Sequence, residues 1–256
     1  NKYRLPKEDP ITAPVVKEVL GPDAESVALA WRFPGLASKD FEVLQVVSQV
    51  LYNGKAGLID LDLNQQQKVL NSYGYPMGLA DYSAFILGGL PKQGQTLEEV
   101  KDLLLNEIKK LRAGEFDEKM LQANINNFKL YELQSMESNE GRADIFVNSF
   151  INGTNWEDEV TAIDRMAKLT KEDIVAFADK YLKEDNYAVV YKKQGKDPNE
   201  KKMTKPEITP IVSNRDVASP FLTSIQENAV KPIEPVFLDF KKDMSQLTAK
   251  SDIPVL

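Results

Sequence analysis

A long interval without proline is the feature that most constrains the fold of this chain. Positions 92 to 197 contain no proline, a residue that interrupts helix interiors and sheet ladders. Within the interval, Thr96 and Glu99 form a capping-box pattern, apolar residues follow at helical spacing, and Gly114 supplies a stop. A second capping-box pattern opens at Thr170. We predict a mostly helical block, with helices at 96–114, 117–137, 139–151, 156–167 and 170–181.

Strand patterns flank this block on both sides. Apolar residues alternate in Ser26–Phe33, which is typical of a half-buried strand. Two further β-like runs are separated by a stretch that opens with Pro76-Met77-Gly78, so an antiparallel hairpin is expected. The order β, α, β, β, several α, β predicts an α+β fold, with helices on one face of a mainly antiparallel sheet. The remaining predicted elements are a helix from Ser38 to Tyr52 and strands Val69–Tyr75, Tyr82–Leu90 and Asn186–Lys192.

The end of the chain has a different composition. All 13 glycines lie at or before Gly195, whereas seven of the 14 prolines fall between Pro198 and Pro254. Proline favours extended chain and removes backbone donors. We predict a domain at 1–195 and a Pro-rich, glycine-free segment at 196–256, with a hinge at 196–235 that leads into a following domain. Because the sequence starts without methionine, we expect a piece of a longer protein.

The absence of histidine and cysteine excludes several chemistries. His/Cys zinc sites, Ser-His-Asp and Cys-His nucleophile systems and disulfides all need one of these residues. The net charge of −7 argues against nucleic acid as a partner. No apolar stretch reaches the ~18 residues of a membrane span.

Acidic residues form two kinds of candidate site. Asp60, Asp62 and Asn64 match the opening of a calcium loop, but Gln65 and Asn71 replace its required glycine and glutamate, so a solvated face is the preferred interpretation. A two-carboxylate hydrolase stays open as an alternative. Helix-dipole complementation is the preferred explanation of its two candidate clusters, since each lies where a predicted helix begins. They are Glu115, Asp117 and Glu118, and Glu157, Asp158 and Glu159.

Glycines accompany two of the β-like runs, in Tyr73-Gly-Tyr75-Pro-Met-Gly78 and Leu87-Gly-Gly-Leu90. Neither is a phosphate-binding motif. Ordinary turn or bulge geometry is the simpler explanation. The functional interpretation is a strand edge that accepts an extended peptide through main-chain hydrogen bonds.

Three stretches together resemble the pitrilysin/insulinase family of zinc metallopeptidases. The first is the strand Val27–Phe33 with the apolar helix that follows it. The second is Ser138-Asn-Glu-Gly-Arg-Ala-Asp144 with the later Asn155-Trp-Glu157, and the third runs from Leu169 to the strand Tyr187–Tyr191. The similarity covers roughly residues 15–195.

The resemblance implies a domain without the zinc site. The catalytic domains of the family carry His-x-x-Glu-His, which a histidine-free chain cannot supply, whereas related noncatalytic domains enclose the substrate. The implied function is therefore a substrate-enclosing, noncatalytic domain of a zinc metalloendopeptidase, with zinc in a neighbouring catalytic domain and a peptide as substrate. The arginine and tyrosine seven residues apart that some such domains supply are not matched, because Gln66 and Lys68 stand seven before Tyr73 and Tyr75.

The resemblance also implies a substrate-binding strand edge, since one family member offers a glycine-containing edge to its substrate. Here it maps by position onto Val69, Leu70, Asn71, Ser72, Tyr73, Gly74 and Tyr75. The alternative function is a free-standing peptide- or protein-binding adaptor. Both the cytoplasm and the bacterial periplasm are compatible with a chain that lacks cysteine.

Overall fold

The computed structural model describes residues 7–197, 204–210, 217–239 and 242–243. The chain divides into two compact units, Asn1–Lys201 and Lys202–Leu256. The first unit contains the sheet and most of the helices, and the second is described separately below.

One five-stranded sheet organises the first unit. Its strands lie in the order β1-β5-β2-β4-β3, so β1 and β3 form the two edges. The pair β1–β5 is parallel, and the other three pairs are antiparallel. The predicted mainly antiparallel sheet and its hairpin are therefore confirmed. The strands are β1 (Val15–Gly21), β2 (Ser26–Pro34), β3 (Asn71–Met77), β4 (Tyr82–Leu90) and β5 (Tyr187–Gln194).

Strand β1 is absent from the sequence prediction. Two apolar residues precede Lys17 and Glu18 and two follow them, so polar and apolar residues do not alternate one by one. All residues of the strand but the last are exposed. A two-residue period marks strands that bury one face, and β1 buries neither. Its conformation comes from the parallel ladder to β5, which runs from Val15 opposite Ala188 to Gly21 opposite Gln194.

The helices cover one face of the sheet. In β2 the inward residues from Val27 to Phe33 are buried, while the alternating residues from Ser26 to Pro34 are only half-buried. The predicted caps are present, since Ser38, Thr96 and Thr170 each accept a hydrogen bond from the first turn. The helices of this unit are α1 (Lys39–Leu51), α2 (Leu97–Arg112), α3 (Lys119–Ser135), α4 (Asn139–Asn152), α5 (Trp156–Val160), α6 (Ala162–Met166) and α7 (Lys171–Tyr181), with a π-helical segment at Asp60–Asn64.

The prediction of one continuous helix at 156–167 is wrong. The structure has two short helices, α5 and α6, which meet at Thr161. The backbone of Thr161 leaves the helical region, with φ −109° and ψ 4°. Its hydroxyl donates to the carbonyl of Glu157 at 2.5 Å and accepts from Arg165. Threonine hydroxyls compete with the helical ladder in this way, and the apolar spacing alone does not reveal it.

A charged cluster links α2 to the π-helical segment. The Nζ of Lys110 lies 2.9 Å from Oε1 of Glu107 and 2.6 Å from Oδ2 of Asp62. The Glu107 side chain is only 1% exposed, so Lys110 compensates a carboxylate that has little contact with water.

The second unit has little regular structure in its described part. One helix, α8 (Pro220–Gln226), begins at Ser219, whose hydroxyl accepts from the N–H of Leu222 at 3.2 Å. The side chains of Phe221 and Ile225 in this helix are exposed. Parts of the predicted hinge, 198–203 and 211–216, lie outside the described residues.

Candidate functional site

Strand β3 places most of the predicted peptide-binding residues at a sheet edge. Only β4 pairs with it, so its other side is free of strand partners among the described residues. Asn71 to Tyr75 lie in the strand. Val69 is buried just before it, and exposed Leu70 donates its N–H to the carbonyl of Leu90 at 3.0 Å. The sequence prediction omitted Pro76 and Met77, the last two residues of the strand.

A side chain occupies the first part of this edge. The amide of Asn64 donates to the carbonyl of Ser72 and accepts from its N–H, each at 2.8 Å. It also accepts from the Ser72 hydroxyl at 2.9 Å. Asn64 therefore satisfies both main-chain groups of Ser72, as a neighbouring strand would.

The two-residue period of an antiparallel ladder determines which other main-chain groups of β3 face away from β4. Because Ser72 turns its main chain away from β4, Gly74 and Pro76 do so too. Proline has no N–H, so Gly74 is the strand's remaining outward-facing donor. Gly74 is itself buried, so a peptide has limited access to its N–H.

Aromatic and aliphatic side chains stand on the sheet face opposite the helices. The rings of Tyr73 and Tyr75 stack with centroids 6.1 Å apart. Tyr75 and Met77 are exposed, whereas Tyr73 is half-buried. Burial raises the pKa of Tyr73 above its ordinary value. The strand thus offers an apolar side-chain row beside a short stretch of open main chain.

Gly74, Gly88 and Gly89 lie inside strands, so the turn interpretation is wrong for these three, whereas Gly78 lies in the connection between β3 and β4. A Cβ on Gly88 would stand 2.2 Å from Cζ of Tyr73, and one on Gly74 would stand 2.7 Å from Cδ2 of Leu87. The missing side chains of Gly88 and Gly74 therefore leave room for the side chains of Tyr73 and Leu87, respectively. The Tyr73 ring covers Gly88, which fixes the position of the tyrosine row.

The three residues of the calcium-like motif have separate structural roles, and the solvated-face interpretation is wrong. Asp60 is 4% exposed, and its Oδ2 accepts from the N–H groups of Asn53 and Gly57 at 2.9 Å each. Asp62 binds Lys110, which lowers the pKa of Asp62. Asn64 binds Ser72. No group of three or more potential metal-binding residues occurs in the part of the chain that the structure describes.

The two acidic clusters stay apart. Glu118 lines a cavity beside α3, while Asp158 and Glu159 line a different one beside α1. Asp158 also lies 2.5 Å from the Nζ of Lys39. The clusters precede α3 and form the first turn of α5, as expected for helix-dipole complementation. The two clusters therefore do not form the acid and base pair of a two-carboxylate hydrolase.

None of the helices within the described ranges combines the length and apolar character required to cross a membrane.

This architecture defines the class as an α+β domain, with helices on one face of a five-stranded sheet. A model of the peptidase M16 inactive domain matches residues 1–128, which is half of the chain. The chain belongs to this family of noncatalytic peptidase domains, which confirms the resemblance to the pitrilysin/insulinase peptidases.

Individual relatives agree with the family assignment. The zinc protease PqqE of Helicobacter pylori is 28% identical over 193 residues, covering 73% of this chain and 42% of that protein. The crystal structure of a Helicobacter pylori protease matches with a TM-score of 0.68 at 21% identity, over 75% of this chain and 48% of that one. The crystal structure of the inactive peptidase domain of a Bordetella parapertussis protein matches with a TM-score of 0.59 at 17% identity. The match covers 67% of this chain and 93% of that one. The chain thus spans less than half of the Helicobacter pylori proteins that it matches.

Proposed function

We propose that this domain forms a noncatalytic wall of a peptide-degrading or peptide-processing zinc metallopeptidase and binds an extended peptide along β3. Zinc belongs, in this proposal, to a neighbouring catalytic domain. Two findings support it: the chain matches the M16 inactive-domain model, and its relative of 28% identity is a zinc protease more than twice as long as the matched segment.

The observation that carries the peptide site is the combination of an edge strand with exposed side chains. Main-chain pairing through Gly74 and the carbonyl of Pro76 supplies sequence-independent affinity, as in other cases of strand addition. Tyr75 and Met77 supply apolar contacts for alternate side chains of the peptide. Because Asn64 already occupies Ser72, the site accommodates only a short stretch of paired peptide.

Peptide binding at β3 is tested with a fluorescent extended peptide and the purified chain. We expect Tyr75→Ala to weaken binding about tenfold, as for an aromatic contact of an interface, when measured by fluorescence anisotropy. Phe221→Ala is the matched control, because this phenylalanine is also exposed but belongs to the second unit. It should leave the affinity unchanged.

A second probe separates main-chain pairing from simple apolar contact. Two peptides are N-methylated at complementary sets of alternate amides, which removes half of the main-chain donors in each and keeps all side chains. We expect one of the two peptides to lose binding, because only one set of amides faces β3. Equal affinity of both methylated peptides would refute strand addition. Cleavage of the peptide by the purified chain in the presence of zinc, reversed by EDTA, would refute the noncatalytic assignment.

We also propose that residues 196–235 form a hinge to a following domain. In the described part of this segment, α8 is the single regular element and the side chains are predominantly exposed. Limited proteolysis is expected to cut first between Gly195 and Pro235, since exposed chain with few packed contacts is cleaved preferentially. Cleavage within α2–α7 at an equal rate would contradict the hinge.

A further inference from the structure

An apolar groove lies between α3, α4 and α5, and it shares no residue with the β3 edge. We call it the α3–α5 groove. It has a volume of about 500 Å³ and is lined mainly by Tyr131, Met136, Ile145, Phe146, Trp156 and Val160. The rings of Phe146 and Trp156 stack with centroids 4.3 Å apart, which gives the groove a continuous aromatic wall.

The lining is unusually exposed for apolar side chains. Tyr131 is 66% and Phe146 60% exposed, and neighbouring Phe150 on α4 is 88% exposed. Large contiguous apolar patches on a domain surface mark interaction sites. The volume lies in the ~300–1,000 Å³ range of ligand pockets, so the groove has room for large side chains of a partner.

The chain segment that forms the groove is predominantly acidic. Residues 130–160 contain seven acidic residues and one basic residue, a net −6, against −7 for the whole chain. Arg142, the basic residue, also lines the groove, where it donates to the carbonyl of Met136 and to Asn139. Asp158 pairs with Lys39 and Arg165. The other six carboxylates form no ion pair with the described residues, and two of them, Glu132 and Glu159, line the groove.

This charge distribution favours a cationic partner over a second copy of the chain. Two copies that met through their grooves would bring two acidic surfaces together, and like charges across an interface are unfavourable. A cationic partner gains attraction from the same carboxylates. Helix-in-groove recognition needs an apolar helix face for the floor and a polar face for the rim.

We infer that the α3–α5 groove binds a cationic amphipathic helix, with aromatic or aliphatic residues on one face and Lys or Arg on the other. The apolar face packs against Phe146 and Trp156, and the cations lie over Glu132 and Glu159. This binding site is separate from the proposed peptide site at β3 and does not depend on it.

The test uses the complete 256-residue chain and a fluorescent model helix of Leu, Phe and Lys, about 18 residues or five turns long. Two control peptides accompany it, one with Glu in place of Lys and one with the same composition in scrambled order. We expect saturable binding of the first peptide alone, weakened several-fold when salt is raised from about 50 to 300 mM, because exposed charges are screened.

Variants locate the binding. Phe146→Ser should weaken it at least about tenfold, as for a central aromatic contact, with an unchanged far-UV circular dichroism spectrum. Leu79→Ser is the matched control, since this exposed leucine lies between β3 and β4, outside the groove. It should bind as tightly as the wild type.

Three outcomes would overturn the inference. They are an absence of binding, equal binding of the Glu-containing or scrambled peptide, and self-association of the chain that Phe146→Ser removes. The last would assign the groove to a second copy. None of them bears on the β3 experiment, which uses a different peptide and different variants.

Discussion

Replacing Lys110 by methionine is expected to lower the free energy of unfolding by about 3–5 kcal/mol, the usual cost of removing one partner of a buried ion pair. Lys110 lies between Glu107 and Asp62, and the Glu107 side chain is almost completely buried. Without Lys110, the native state must hold a buried carboxylate that has lost its cation.

The loss should depend on pH. Burial raises the pKa of Glu107, and Lys110 opposes that increase, so the variant raises the pKa further. Between the pKa of the unfolded chain, about 4.3, and the higher folded value, the native state keeps a proton that the unfolded state has lost. Stability in this window therefore falls as pH rises.

Asp62 acts in the same direction. Lys110 lowers the pKa of Asp62, which stabilises the wild type above the unfolded pKa and is lost in acid. Urea denaturation of the variant and the wild type should show a larger difference at pH 8 than at pH 5.

The neighbouring lysine provides the control. Lys109 pairs with Glu184 at 3.7 Å, and both side chains are exposed. Lys109→Met should cost less than about 1 kcal/mol, as is usual for surface pairs. A similar loss for both variants, or a loss at Lys110 that does not vary with pH, would contradict the buried-cluster interpretation.

Replacing Asp60 by alanine is expected to cost about 3 kcal/mol. Its Oδ2 accepts from the half-buried N–H of Asn53 and the buried N–H of Gly57, and a buried donor left without an acceptor costs about 1–3 kcal/mol. The same residue begins the π-helical segment that ends at Asn64. We therefore expect Asp60→Ala to disturb the β3 edge and weaken extended-peptide binding as well.

Asparagine at the same position is the matched control. Because both hydrogen bonds reach one oxygen, the amide oxygen of Asp60→Asn can accept both, and the cost should be about 1 kcal/mol. Thermal denaturation and anisotropy of the labelled peptide check the two effects together. Equal destabilisation by asparagine and alanine would show that the charge, rather than the acceptor, is required.

The sequence contains enough information for most of the fold, because its caps and periodicities are local. The capping boxes at Thr96 and Thr170 predict the starts of α2 and α7 correctly. Strand β1 was missed because it buries neither face. The break between α5 and α6 was missed because it depends on hydrogen bonds of one hydroxyl, at Thr161.

The candidate site was partly predictable. Pro76 within a β-like run indicates an edge strand, and this signal could have extended the predicted site to Met77. The role of Asn64 depends on an approach between segments eight residues apart that no local pattern encodes. The buried role of Asp60 depends on how the loop at Asn53–Gly57 folds back over it, which the acidic motif alone does not reveal.

The amide of Asn64 and the ring of Pro76 have a further consequence for how the domain behaves at high concentration. Open sheet edges allow chains to add to one another without limit, which leads to fibres. Here the β3 edge presents enough main-chain groups for a short peptide but too few for a full strand of another copy, so among the described residues β1 is the more open edge. Two copies that joined through β1 would close the assembly, since a third could not be added. Asn64 and Pro76 together therefore oppose sheet-mediated aggregation through the β3 edge of this domain.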